Sequence, residues 1–216
     1  MWTSLVHRQT MIDESKNGSQ FVKFINMLMN DTTFLLDECL EYLKRIHETQ
    51  VLMMNDQSWA ELGTENQQSR QRQLVQDERQ CRSYLTLARE TVDMFHYLTV
   101  DIKEPFLRPE LIDRLCSMLN FNMHQLCGPK CNDLKVRKPE KYGWDPKRLL
   151  GQIFDIYLHL ASEKFAGALA ADERSFDKDF FEKAANRISD LKIRSVVEVE
   201  QFRQLLVQAH GIYGKL

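Results

Sequence analysis

All five prolines of this chain fall between Pro105 and Pro146, and that confinement decides where helices can run. A proline inside a helix removes a hydrogen bond and clashes with the preceding turn, and it pushes the residue before it away from helix. Long helices are therefore restricted to the flanks of this stretch or to the intervals between its prolines. The segment from Glu104-Pro-Phe-Leu-Arg-Pro-Glu to Tyr142-Gly-Trp-Asp-Pro-Lys becomes a hinge of short elements between two helical wings. Glycine adds only 8 residues to the 5 prolines, a low total that favours helix over a turn-rich β fold. Sustained period-two alternation bounded by hairpin turns is found nowhere.

On the N-terminal wing Phe21, Phe24, Ile25 and Leu28 recur at helical spacing, and Leu35, Cys39, Leu43 and Ile46 continue the stripe. Asn30-Asp31-Thr32-Thr33 interrupts it, with Asp31 or Thr32 fit to cap a second helix, so two helices are predicted, over 20–29 and 32–54. Residues 1–19 read as a loose lead-in. Polar residues from Asn55 to Gln68, with Gly63 among them, predict a connecting loop anchored by Trp59 and Leu62. Gln67 to Val100 contains neither proline nor glycine and carries a stripe through Cys81, Leu85, Ala88, Val92 and Phe95, although its first third is polar on every side. Such a long helix needs neighbours along its flank, because tertiary burial rather than propensity stabilises it.

Pro105 is expected to end that helix and Pro109 to open another, with Leu111, Ile112, Leu115, Met118 and Leu119 on one side. Gly128-Pro129 closes it, the glycine read as a left-handed cap and the proline as a stop. Cys131 to Trp144 reads as an irregular connection. Asp145-Pro146 restarts the chain as N-cap and first helical residue, followed by Leu149, Leu150, Ile153, Phe154, Tyr157 and Leu160. Ser175 is expected to cap a helix over 176–190, and Ser195-Val-Val-Glu198 forms a capping box that opens one over 196–211. The predicted fold class is all-α, an armadillo-like α-solenoid of paired antiparallel helices in which each pair buries its stripe against the next.

Composition narrows the function. Hydrophobic residues at 43% and charged residues at 28% are ordinary globular usage, and a formal net charge of -2 supplies no general field for nucleic acid or an anionic membrane. The N-terminus has no apolar signal core and no stretch approaches the roughly 18 apolar residues of a membrane span. Five cysteines, an odd number, point to reduced thiols and a cytosolic or nuclear setting.

The best imitation of a metal site is Cys116, His124, Cys127 and Cys131, four ligand types that can close a tetrahedral zinc. They lack paired Cys-x-x-Cys knuckles, and the preferred reading makes them core and surface residues, with no metal and no cofactor. Cys131, beside Lys130, is the one cysteine whose neighbours suit a nucleophile, and an ordinary thiol is again preferred. Asp93 and His96 have the spacing of a surface pair. No glycine-flanked serine elbow and no glycine-rich phosphate loop is present, so no catalytic constellation is read. Lys130, Lys135, Arg137, Lys138 and Lys141, followed by Lys147 and Arg148, make the central loop basic, which reads either as a solvated connection or as a dock for an acidic partner.

Taken in order, several runs carry a resemblance. They are Asn30-Asp-Thr-Thr-Phe-Leu-Leu-Asp-Glu, Pro105-Phe-Leu-Arg-Pro-Glu-Leu, Leu119-Asn-Phe-Asn, Leu126-Cys-Gly-Pro-Lys-Cys-Asn-Asp-Leu-Lys-Val, and Pro139-Glu-Lys-Tyr-Gly-Trp-Asp-Pro-Lys-Arg-Leu-Leu. Together they resemble the core of the ubiquitin conjugation factors of the ubiquitin-fusion-degradation type, and most of all its metazoan B-type form. The resemblance implies an armadillo-like core spanning residues 20–216 here. It also implies a ligase that elongates ubiquitin chains on tagged substrates bound for the proteasome. The implied partners are a ubiquitin-conjugating enzyme, ubiquitinated substrates, the hexameric AAA segregase and proteasome shuttle factors, with a monomer in cytoplasm and nucleus. In that family a U-box engages the conjugating enzyme. Nothing up to Leu216 matches a U-box, so the chain is expected to be a piece of a longer factor and inactive in ligation alone. The alternative expectation is an autonomous non-catalytic helical adaptor of the same pathway.

Overall fold

A computed structural model describes residues 19–213. They form eight α-helices and three short 3₁₀ turns, with no strand among the described residues. The lead-in read over 1–19 lies outside them except for Ser19, which is already helical.

Helix α1 spans Ser19–Met54 as one piece, which corrects the division at residues 30–31. Thr32 is buried, and its Oγ1 donates to the Leu28 carbonyl at 2.7 Å. The hydroxyl thus satisfies itself inside the helix instead of capping a new one, and the stripe from Phe21 to Ile46 faces a single core. The expected loop after it is also mostly helix. Asn55 accepts from the Ser58 N–H at 3.1 Å and opens α2 (Asp56–Glu61), and α3 follows at once over Gly63–Asp101. Gly63, at φ 75°, supplies the left-handed residue for this tight join.

Helices α1 and α3 form an antiparallel pair. Phe34 meets Tyr84 at 6.1 Å between ring centres, whereas Arg45, next to the far end of the stripe, reaches Asp77 at 3.8 Å. Helix α3 ends at Ile102, before Pro105, which sits in a buried 3₁₀ turn, Glu104–Leu107. There Phe106 is fully buried against Phe21 and Phe95, a side chain worth about 1.5–3 kcal/mol of apolar burial.

Pro109 opens α4 (Pro109–Cys127), and its predicted apolar side is buried throughout. Gly128 closes it at φ -76°, ψ 178°, which is extended rather than left-handed. Glycine is needed there for another reason: a Cβ would collide with the His124 carbonyl oxygen, which accepts the Gly128 N–H at 2.8 Å. The next stretch is more regular than expected, holding 3₁₀ turns over Pro129–Leu134 and Pro139–Tyr142. Leu134, Tyr142 and Trp144 plug it into the core.

Helix α5 (Pro146–Leu160) begins as predicted, with Asp145 accepting from the Arg148 N–H at 3.1 Å. It runs parallel to α3, since Asp93 pairs with Gln152, His96 with Asp155 and Thr99 with His159. Helix α6 (Glu163–Ala171), capped by Ser162, has no counterpart in the sequence reading. Helix α7 covers Lys178–Asp190 and is capped by Asp177, not by Ser175, whose hydroxyl is taken up by Asp172 and Asn120. Ser195 opens α8 (Val196–Tyr213), and Glu198 Oε2 accepts from the Ser195 N–H at 2.8 Å, completing the predicted box. The all-α class is observed.

Candidate functional site

The hinge between the wings is a fixed surface, and its fixing explains which of its charges remain available. The Lys141 ammonium lies 2.6 Å from Glu78 Oε2 on α3, and the buried Tyr142 hydroxyl donates to the other oxygen of that carboxylate at 3.0 Å. His47 Nδ1 donates to the Lys135 carbonyl at 2.5 Å, and the Arg137 N–H donates to Gln50 at 2.8 Å, so α1 holds the other edge. Lys138 occupies the left-handed region at φ 50° between these anchors. Lys141 is therefore a strut whose charge is met. Lys130, Lys135, Arg137 and Lys138 are exposed and form no ion pair among the described residues. Lys135 also lines a cavity of about 220 Å³, together with Leu126, Leu134, Val136, Trp144 and Arg187.

The four candidate metal ligands go separate ways. Cys116 is fully buried. His124 stacks on Phe180 at 3.8 Å and its Nε2 lies 3.0 Å from the Ser175 carbonyl. Cys127 packs towards Met123, and Cys131 is approached by Arg187 at 3.5 Å. Among the described residues no three His, Cys, Asp or Glu side chains form a group able to hold a metal.

Burial pushes the Cys39 and Cys116 thiols well above their ordinary range, Cys81 up to about 12 and Cys127 to about 11. These four are neutral at physiological pH, and the thiolate is the nucleophile.

One arrangement imitates a catalytic group. His96 Nε2 lies 2.8 Å from Asp155, and Thr99 Oγ1 lies 2.9 Å from His159 Nδ1, with the two imidazoles 5.1 Å apart. Thr99 is fully buried, however, and its hydroxyl also faces the Phe95 carbonyl at 2.8 Å, so no substrate reaches it. Arg194 completes the cluster with two 2.7 Å bonds to Asp155. Its guanidinium passes so close to Gly151 that a Cβ there would stand 2.8 Å from it. The cluster clamps α3 and α5 to the link that leads into α8. A second clamp joins α4, α5 and the α6–α7 link: the buried Tyr157 hydroxyl donates to Asn120 Oδ1 at 2.6 Å, and the Asn120 amide donates to Asp172 and Ser175. Sequence spacing singled out Asp93 with His96, but it missed Asp155 and Arg194, since their partners come from other helices.

The arrangement fixes the helices to one another through buried and half-buried polar contacts. The family model described as the ubiquitin elongating factor core matches residues 1–210. The chain belongs to this family. Its relatives include the ubiquitin conjugation factor E4 of Schizosaccharomyces pombe, 39% identical over 195 residues, which is 90% of this chain and 19% of the relative. The E4 ubiquitin-protein ligase UFD2 of Saccharomyces cerevisiae is 37% identical over 83% of this chain and 19% of its own length. The ubiquitin conjugation factor E4 A of Pongo abelii is 32% identical over 84% and 18%. This elongating factor core segment thus spans about a fifth of the length of the curated relatives it matches. Its hinge and both clamps fall inside the residues matched to the family.

Proposed function

We propose that this chain is the scaffold segment of a ubiquitin-ubiquitin ligase that elongates ubiquitin chains on substrates already tagged for proteasomal degradation. The observation that carries this reading is the match to the elongating factor core over residues 1–210. Two physical features support it: helices locked by buried polar clamps, and four thiols that burial keeps neutral. Holding a charged conjugating enzyme beside an acceptor lysine lowers the barrier by placement, an effect on the order of 7–11 kcal/mol for well-oriented reactants. Such a scaffold needs no nucleophile of its own.

In this reading the ubiquitin-conjugating enzyme is engaged through a U-box joined to the segment. Ubiquitinated substrates, the hexameric AAA segregase and proteasome shuttle factors are the further partners, in cytoplasm and nucleus, a setting in keeping with five free cysteines. Lys130, Lys135, Arg137 and Lys138 offer an acidic partner a rigid cationic edge, with Lys141 bracing the loop. The test incubates the purified chain with activating enzyme, conjugating enzyme, ubiquitin and a ubiquitin-fusion substrate, beside the same chain extended through a U-box. Chain growth is expected from the extended form alone. Growth by residues 1–216 at a comparable rate would place the activity in the helical core and overturn the scaffold reading.

A further inference from the structure

Away from the hinge, α1 and α4 run side by side in the same direction, as Arg114 contacts Asn26 and Asn30 while Gln125 accepts from Lys44 at 3.1 Å. Between them lies a groove of about 680 Å³. Its apolar lining is Met29, Phe34, Met118 and Phe121. Phe34 is 55% and Phe121 45% exposed, an unusual display for phenyl rings that share one depression. Phe34 continues into an aromatic ladder, since Tyr84 meets it at 6.1 Å and Tyr42 stacks on Tyr84 at 5.7 Å.

The polar lining has a definite sign. Asp37 stands on α1 and Asp113 on α4, and neither forms an ion pair among the described residues. Arg114, the one cation in the lining, is held against Asn26 and Asn30. Since α1 and α4 run in parallel, Asp113 lies near the Asn30 end and Asp37 near the Phe121 end, roughly two helical turns apart. Asn122 adds an independent sign: it lines the groove at 2% exposure, donates to the Met118 carbonyl, and its Oδ1 has no hydrogen-bond partner among the described residues. A buried acceptor without a donor is rare in folded proteins and is met by bound groups as well as by the chain itself.

We propose that this groove docks an amphipathic helix of a partner that carries apolar side chains at i+3 and i+4 between two lysines or arginines at i and i+7. The apolar pair lies against Phe34 and Phe121, and the two cations meet Asp113 and Asp37 on opposite walls. Helix-in-groove docking of this kind reads anchors at i, i+3, i+4 and i+7, and a lysine or arginine paired with an aspartate at each end sets its register. The site is distinct in place and in charge from the basic hinge loop.

The test uses the whole chain and two fluorescein-labelled 14-residue peptides that share one leucine face. One has lysine at i and i+7 and the other glutamate, and binding is read by anisotropy. The lysine peptide is expected to bind at least 10-fold more tightly, with affinity falling as salt is raised. Phe34→Ala with Phe121→Ala should weaken it at least 10-fold while the melting temperature is retained, because both rings are exposed. Asp37→Lys with Asp113→Lys should reverse the preference, so that the glutamate peptide binds the better. Equal binding of both peptides, no binding of either, or a preference unchanged by the charge swap would overturn the proposal.

Discussion

Asp155 on α5 joins α3 to the link that leads into α8, and its titration reports on both contacts. Burial pushes its carboxyl up, but the Arg194 and His96 hydrogen bonds and charges outweigh that and hold it down at about 2. A depressed carboxylate stabilises the fold above its unfolded value near 3.8 and loses that contribution as pH falls through its folded value. His159 is depressed as well, by burial first and then by the charge of His96. The unfolded state therefore takes up this proton more readily, so stability falls as pH drops below about 6.5. Urea midpoints should decline from pH 7.5 to 5, and His159→Gln should flatten that slope, whereas a slope unchanged in the variant would assign it elsewhere. A steeper loss should follow between pH 4 and 2, absent in Asp155→Asn. Gly128→Ala probes sterics at the same scale. Its φ suits any residue, yet the new Cβ would meet the His124 carbonyl, and a loss of about 1–3 kcal/mol is expected. An alanine variant that melts within a degree of the parent would show that the α4 terminus yields.

At the scale of elements, caps were legible where a single side chain decides the outcome. Asp145 and the Ser195–Glu198 box work as their spacing predicts. Ser195→Ala should remove both hydroxyl bonds and cost about 1 kcal/mol, read as a fall of roughly 2–4 °C in melting temperature. A fall well beyond that range would mean that Ser195 does more than cap α8. The errors arose where a polar side chain had two possible partners. Thr32 satisfies its own helix rather than starting one, and Ser175 serves the Asn120–Asp172 network while Asp177 takes the cap. Helix α6 escaped notice because Phe165, Ala166, Ala168, Leu169 and Ala170 are buried on several sides, which erases the amphipathic stripe that marks a surface helix. The cationic loop was legible from composition alone. Its bracing by Glu78, His47 and Gln50 was not, because each brace joins residues more than 60 positions apart.

In the whole molecule the two wings share one hydrophobic core that runs from Phe21 to Ala209, and the proline-rich stretch is its middle rather than a flexible joint. Phe106, Tyr142 and Trp144 bury that stretch between α1, α3 and the later helices, so both wings hold their faces in one fixed relation. A scaffold that works by placement depends on this rigidity, because displacing reactants by about 1 Å can cost 100-fold in rate. The proposed scaffold role requires that this segment be able to replace the matching part of a relative. The decisive measurement replaces the matching fifth of the Schizosaccharomyces pombe conjugation factor with this chain and follows ubiquitin chain length on a ubiquitin-fusion substrate over time. The chimera is predicted to extend chains at a rate within about 10-fold of the parent factor, a difference of about 1.4 kcal/mol in barrier. A chimera that folds and melts like the parent, yet adds no ubiquitin beyond those already attached, would contradict the claim that this segment is an elongation scaffold.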